Sequence, residues 1–241
     1  MSQSLDGRTV LVTGANGGLG EQFVRQALAR GAAKVYATAR ATKQWDDVRV
    51  HPLALDLIDP GSVERAAATA TDVDLLVNNA AVAPAGDSIS GPEDELRRIF
   101  ETNFFGNLRV ANAFSPVLAA NGGGTLLNVL SAAAWSNVPT GYGASKAAMW
   151  SATNALRAQL GPRGTQVIGL LVGMVDTPMS ARWDVPKVSA ESVVAQAYDA
   201  VADGSIEVLA DEVTRDLKSR LGTRAEELYP WLDEQLASFV P

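Results

Sequence analysis

The 241-residue chain has no cysteine, which excludes disulfides, thiol nucleophiles and thiolate metal sites together. Histidine is almost missing as well. His51 stands alone, which argues against a histidine-based zinc site or a Ser-His-Asp triad. It precedes Pro52 and reads as a structural or solvated residue. Positive charge is in deficit, with 20 Lys and Arg against 27 Asp and Glu and a formal net charge of -7. That balance argues against a nucleic-acid or anionic-membrane partner. No apolar run is long enough to span a bilayer, and residues 1–8 hold no apolar signal core. The expectation is a cytoplasmic protein without a membrane partner.

What is present is a globular balance of 47% hydrophobic and 20% charged residues, in a chain long enough to bury a sizeable core. No linker, repeat or low-complexity segment interrupts it, so residues 1–241 are expected to form a single domain. Residues 8–13 read as a short buried parallel strand closed by glycine. The run Thr13-Gly14-Ala15-Asn16-Gly17-Gly18-Leu19-Gly20 follows and opens a helix with Leu19, Phe23, Val24, Ala27 and Leu28 on one side. Strand, glycines and helix in that order fit a dinucleotide, because a pyrophosphate must approach backbone N–H groups at a helix N-terminus. The plain alternative is a tight turn.

The rhythm of strand and helix then repeats. Further strands are expected at 34–38, 48–55, 73–77, 125–130, 165–172 and 206–210. Helices are expected at 60–70, 93–121, 144–160 and 190–203, with two charged helices between 212 and 236. Residues 180–189 show no clear period and read as a mobile lid over a substrate, near 178–190. In NAD-binding versions of such a unit, an acid about 20 residues beyond the glycines holds the ribose 2′-hydroxyl. Here the second strand ends in Ala39-Arg40. With no carboxylate there, a guanidinium suits a 2′-phosphate, against the alternative of a surface arginine. Asp56 could accept from an adenine amino group or serve as a loop or N-cap acid.

Tyr142 and Lys146 are four residues apart and share a helical face. Free tyrosine and lysine titrate near 10, too high for either to act alone at pH 7. An ammonium beside a phenol favours the phenolate and lowers the tyrosine pKa, making it an acid or base near neutrality. Ser131, at the end of a strand, would donate to the same substrate oxygen. Asn103 lies in mid-helix, where asparagine is a poor helix former. Either it faces solvent, or a local distortion lets its amide hold a water.

Taken in order, Thr-Gly-x-x-x-Gly-x-Gly at 13–20, Asn-Asn-Ala at 78–80, Asn103, Ser131, Tyr-x-x-x-Lys at 142–146 and Gly-x-x-x-Thr at 173–177 resemble the short-chain dehydrogenase/reductase family over the full length. The resemblance implies a Rossmann-type, doubly wound α/β fold with a seven-stranded parallel sheet flanked by helices, assembled as homodimers or homotetramers. It implies that Tyr142 donates and accepts the proton, Ser131 orients the substrate oxygen, and Lys146 binds the nicotinamide ribose. Asn103 would hold a water connecting Lys146 to solvent. Gly14, Asn16, Gly18, Leu19, Gly20, Asp56, Leu57, Asn79, Ala80, Val175 and Thr177 fall on cofactor-binding positions, and Arg40 on the position that recognises the 2′-phosphate. Three features depart from the family pattern: Ala81 replaces a glycine, Val172 replaces a proline, and the separation between Ser131 and Tyr142 is short.

The expected activity is an NADP(H)-dependent interconversion of a small carbonyl compound and an alcohol, with no metal. Trp135, Val138, Met179 and Trp183 are candidates for an apolar substrate wall, with core packing as the alternative for each. Two other classes compete. A sugar-nucleotide epimerase or dehydratase reuses the same tyrosine and lysine but needs a larger C-terminal region. An NADP-binding regulatory protein of this fold usually loses one of the pair, and both are present here.

Overall fold

The strand β1 (Thr9–Thr13) shows how the sequence builds the core. All five of its residues are buried, yet Val10 and Val12 join one cluster of side chains and Leu11 another. A period of two sends alternate residues to opposite faces, so a strand that is apolar throughout needs cover on both. The computed structural model, which describes residues 5–229, provides that cover with helices on each side. In chain order the elements are β1, α1 (Gly18–Ala29), β2 (Lys34–Ala39), β3 (Val50–Ala54), α2 (Pro60–Thr69), β4 (Leu75–Asn78) and α3 (Glu93–Phe100). A π-helical stretch, Glu101–Gly106, leads into α4 (Asn107–Ala120), followed by β5 (Thr125–Val129), α5 (Gly141–Leu160) and β6 (Gln166–Leu171). Last come β7 (Val175–Asp176), β8 (Val188–Ser189), α6 (Ala190–Asp203), β9 (Glu207–Leu209), α7 (Glu212–Arg220) and α8 (Ala225–Leu228).

Seven strands pair in parallel in the order β3-β2-β1-β4-β5-β6-β9, giving the Rossmann-type, doubly wound sheet. Phe23, Val24 and Ala27 of α1 pack on one face with Val193, Ala197 and Tyr198 of α6. The other face is covered by α2, α4 and α5 through Val63, Phe114, Leu118 and Met149, among others. Pro52 lacks an N–H, and it is tolerated because β3 is an edge strand. β1 lies between β2 and β4, so the chain reverses its direction of winding there. Such a switch point opens a crevice at the carboxyl ends of the strands.

Every expected strand and helix within the described residues is present, with ends shifted by up to three residues. The helix expected over 93–121 is a correction: it is broken into α3, the π-helical stretch and α4. The segment without a period is also more ordered than a lid reading suggests. Val175 and Asp176 pair with Val188 and Ser189, and Arg182 donates to the carbonyls of Ala83 and Pro84 at 3.2 Å each. Residues 230–236 of the expected final helix lie outside the described residues. Among the described residues, no helix is long and apolar enough to cross a membrane.

Candidate active site

The turn after β1 is shaped by its glycines. Gly14 has a φ of 66° and Gly18 a φ of 56°, a region that side chains rarely enter. Gly20 is constrained differently: a Cβ there would lie 2.1 Å from the Gly14 carbonyl oxygen. Gly17 precedes α1 with no side-chain cap, so the amides of the first turn are left for an anion to meet. Leu19 packs on the core and can offer only its backbone. Asn16 is exposed and donates to the Ala41 carbonyl at 2.6 Å.

The end of β4 locks onto this turn. Thr13 accepts from the N–H groups of Asn79 and Ala80 at 2.9 and 3.0 Å. Asn79 donates its amide to the carbonyls of Thr13 and Gly14. Ala81 stands where the family has glycine, and no non-glycine residue among those described has a positive φ, so the methyl requires no special backbone there. Arg40 follows β2, exposed and without a hydrogen bond or ion pair among the described residues. Nearby Lys43 is bound to Glu21 at 2.8 Å and is committed elsewhere. The cap of α2 is Asp59, which accepts from Gly61; Asp56 is a loop acid that accepts from the Ile58 amide at 3.2 Å. Leu57 buries its side chain in the core.

Ser131 ends β5 and is 8% exposed. Its hydroxyl accepts from the Ala133 amide at 3.1 Å, which fixes its orientation, and it lies close enough to the Tyr142 phenol to favour the phenolate. The sequence brings these two together by starting α5 at Gly141, three residues earlier than its apolar period suggests. Lys146 lies one turn on, 3% exposed. Its ammonium donates to the Val129 carbonyl at 2.8 Å and lies 5.7 Å from the centre of the Tyr142 ring.

The electrostatics correct one expectation. Burial pushes the Tyr142 phenol above its ordinary value, with the nearby Ser131 hydroxyl opposing the rise. The expected lowering by Lys146 is not found, and burial sets the direction because a phenolate would lose its hydration. Burial likewise brings the Lys146 pKa down from 10.5 to about 8.

Asn103 is buried, and its amide accepts from the Val82 N–H at 2.8 Å and donates to the Val82 carbonyl at 2.9 Å and to Ser145 at 3.1 Å. The anticipated distortion exists as the π-helical stretch. Asn107 supports it, donating to the carbonyls of Thr102 and Asn103 and to Ala80. The sequence reading missed Asn107, although a second asparagine four residues after Asn103 was a visible signal. It also missed Asp211, which caps α7 and accepts from the Gly173 amide at 2.6 Å. That bond ties down the loop carrying Val175 and Thr177. Val175 is buried, and the Thr177 methyl lies 3.5 Å from where a Gly18 Cβ would be, so this loop meets the glycine turn.

The substrate wall is only partly as expected. Trp135 is 3% exposed and stacks edge-to-face on Trp150 in the core, so it is packing rather than pocket. Val138 borders an open cleft of about 200 Å³ with Ile89, Ala133 and Thr140, but neither Ser131 nor Tyr142 lines it. Met179 is 42% exposed, and Trp183 is partly covered by the Arg182 guanidinium 3.9 Å above its ring.

Crevice, glycine turn and Ser-Tyr-Lys group together define a dinucleotide-dependent oxidoreductase. The model of the short chain dehydrogenase family matches residues 8–187. A short-chain dehydrogenase of Penicillium crustosum is 33% identical, over 90% of this chain and 87% of that protein. Human L-xylulose reductase is 34% identical, over 77% and 80%. Among solved structures, a short chain dehydrogenase from Burkholderia cenocepacia in complex with NADP is 35% identical with a TM-score of 0.87, covering 95% of this chain and 98% of that one. The chain belongs to the short-chain dehydrogenase/reductase family.

Proposed function

We propose that this protein is an NADP(H)-dependent carbonyl reductase in which Tyr142 is the general acid. The observation that carries the reading is the Ser131 hydroxyl beside the Tyr142 phenol, with Lys146 one turn along the same helix and its ammonium 5.7 Å from the centre of the tyrosine ring. The whole chain acts as one cofactor-binding unit, and residues 178–190 form its substrate loop. Nicotinamide, when bound, supplies the hydride to the carbonyl carbon. The protein's part is to hold the carbonyl oxygen with Ser131 and pass it the Tyr142 proton, leaving an alcohol. Donors fixed in advance cost no reorganisation as charge grows on that oxygen. A phenol held above its ordinary pKa is protonated at neutral pH, which suits an acid.

The cofactor fits the residues present: an uncapped helix start, glycines where a side chain would clash, and a free cation after β2. The Burkholderia cenocepacia relative holds NADP, which supports the same choice here. Arg40 can add a charge-assisted hydrogen bond worth about 1.5–3 kcal/mol, or roughly a tenfold to hundredfold preference for NADPH over NADH. Arg40→Ala is therefore expected to raise KM for NADPH strongly and leave that for NADH nearly unchanged. Ala39→Asp with Arg40→Ala is expected to turn the preference towards NADH. Equal weakening of both cofactors would make Arg40 a surface residue.

Ser131→Ala is expected to lower turnover by about 10²–10³ while cofactor affinity stays near normal. The cost to the fold is about 1 kcal/mol, from the lost cap on Ala133. Steady-state rates on a panel of ketones and aldehydes, read by NADPH absorbance, test both the activity and this variant. A loss below threefold would assign the oxygen's donor elsewhere.

A further inference from the structure

The loop between β4 and α3 carries Asp87, an acid that none of the residues discussed above accounts for. Its two carboxylate oxygens go to two different amides: Gly141 N–H at 2.9 Å and Tyr142 N–H at 2.7 Å. Four N–H groups at a helix start have no partner within the helix. In α5 two of them are served locally, the Thr140 N–H donating to the Val138 carbonyl at 2.8 Å and the Gly143 N–H to the Thr140 hydroxyl at 3.0 Å. The remaining pair includes the Tyr142 amide itself. Two residues beyond Asp87, the Ile89 N–H donates to the Pro139 carbonyl at 2.8 Å, which registers the loop against the start of the helix. The absence of a side chain at 141 permits this approach, since a Cβ there would lie 2.6 Å from Leu96 and 3.1 Å from the Asp87 carboxylate.

We propose that Asp87 is the positioning residue of Tyr142, its carboxylate bridging the first two amides of α5 and so holding the phenol in place against Ser131. This rests on the reading of Tyr142 as the proton donor. An ordinary helix cap comes from the residue preceding the helix and fixes only local geometry. Asp87 instead reaches in from 54 residues away in sequence. It therefore couples the loop beside Val82 and Asn103 to the position of the tyrosine. Catalytic rates are sensitive to such placement, where an error near 1 Å can cost about 100-fold.

The test uses Asp87→Ala, Asp87→Asn and Asp87→Glu in the full chain, with Tyr142→Phe as control. Asp87→Ala is expected to lower kcat by about 30-fold to 100-fold, with KM and NADPH affinity within twofold of wild type. Asp87→Asn keeps one of the two oxygens and should fall between. Asp87→Glu keeps both and should recover most of the rate. Asp87→Ala within threefold of wild type, while Tyr142→Phe is inactive, overturns the proposal. So does an Asp87→Ala effect confined to KM or cofactor affinity. If the wild type turns over no carbonyl substrate, the reading of the protein as a reductase has failed, and amide hydrogen exchange decides the clamp separately. Faster exchange at Gly141 and Tyr142 alone in Asp87→Ala supports it, and unchanged exchange there overturns it. If Asp87→Ala does not fold, Asp87→Asn carries the same comparisons.

Discussion

Tyr142→Phe is expected to abolish nearly all carbonyl reduction, with kcat falling by about 10³-fold or more, while the protein folds and binds NADPH as before. General acid catalysis by one positioned group contributes about 10²–10⁴-fold, and phenylalanine removes the proton while keeping the ring. The phenol lies beside Ser131, and removing one hydroxyl while the ring stays in place costs less than about 1 kcal/mol of stability. The remaining hydroxyl of Ser131 is a far weaker acid and cannot substitute. The ring face towards Lys146 is unchanged, which leaves the cofactor side of the site intact. The measurement is a full kinetic comparison alongside an NADPH titration by fluorescence. A variant retaining a tenth of the wild-type rate would remove Tyr142 from the role of acid.

The contrast between what could be read in advance and what could not has a physical basis. β1, the glycine turn and the start of α1 were legible because each rests on local constraints: β-branched residues, a positive φ at Gly14 and a close approach at Gly20. The Tyr142–Lys146 pair was legible because a helix makes a spacing of four into a shared face. The π-helical stretch was visible only as a misplaced asparagine, since the extra residue per turn leaves no apolar period of its own. The direction of the Tyr142 pKa could not be read, because it depends on how much water burial removes, and burial is a property of the assembled fold. Trp135 is similar: a tryptophan beside the catalytic loop can face a pocket or the core, and Trp150, fifteen residues on, decides it. Asp87 gave no signal, since its partners lie 54 and 55 residues away.

Replacing Lys146 by methionine is expected to weaken function and stabilise the fold at the same time. The ammonium is 3% exposed and, among the described residues, its hydrogen bond is to the Val129 carbonyl. Its pKa falls from 10.5 to about 8 because burial penalises the charged form, which corresponds to about 3 kcal/mol at neutral pH. Methionine has similar length and no charge, so it relieves that penalty and forfeits one hydrogen bond worth about 1 kcal/mol. The expected gain is about 2 kcal/mol at pH 7. Its sign changes with pH in a defined way. Below about pH 8 both folded and unfolded chains hold the lysine proton, and the penalty is complete. Between about 8 and 10.5 the unfolded chain holds a proton that the folded chain has released, so wild-type stability rises with pH across that window. The advantage of methionine therefore shrinks from pH 8 upward and is gone by about 10.5. Function moves the opposite way. If Lys146 binds the nicotinamide ribose, its loss removes about 1.5–3 kcal/mol, so kcat/KM should fall by roughly tenfold to hundredfold. Urea unfolding at pH 7, 9 and 10 together with NADPH titration tests both halves. A variant less stable than wild type at pH 7 would mean that the Val129 bond outweighs burial, and unchanged NADPH affinity would remove Lys146 from the cofactor site.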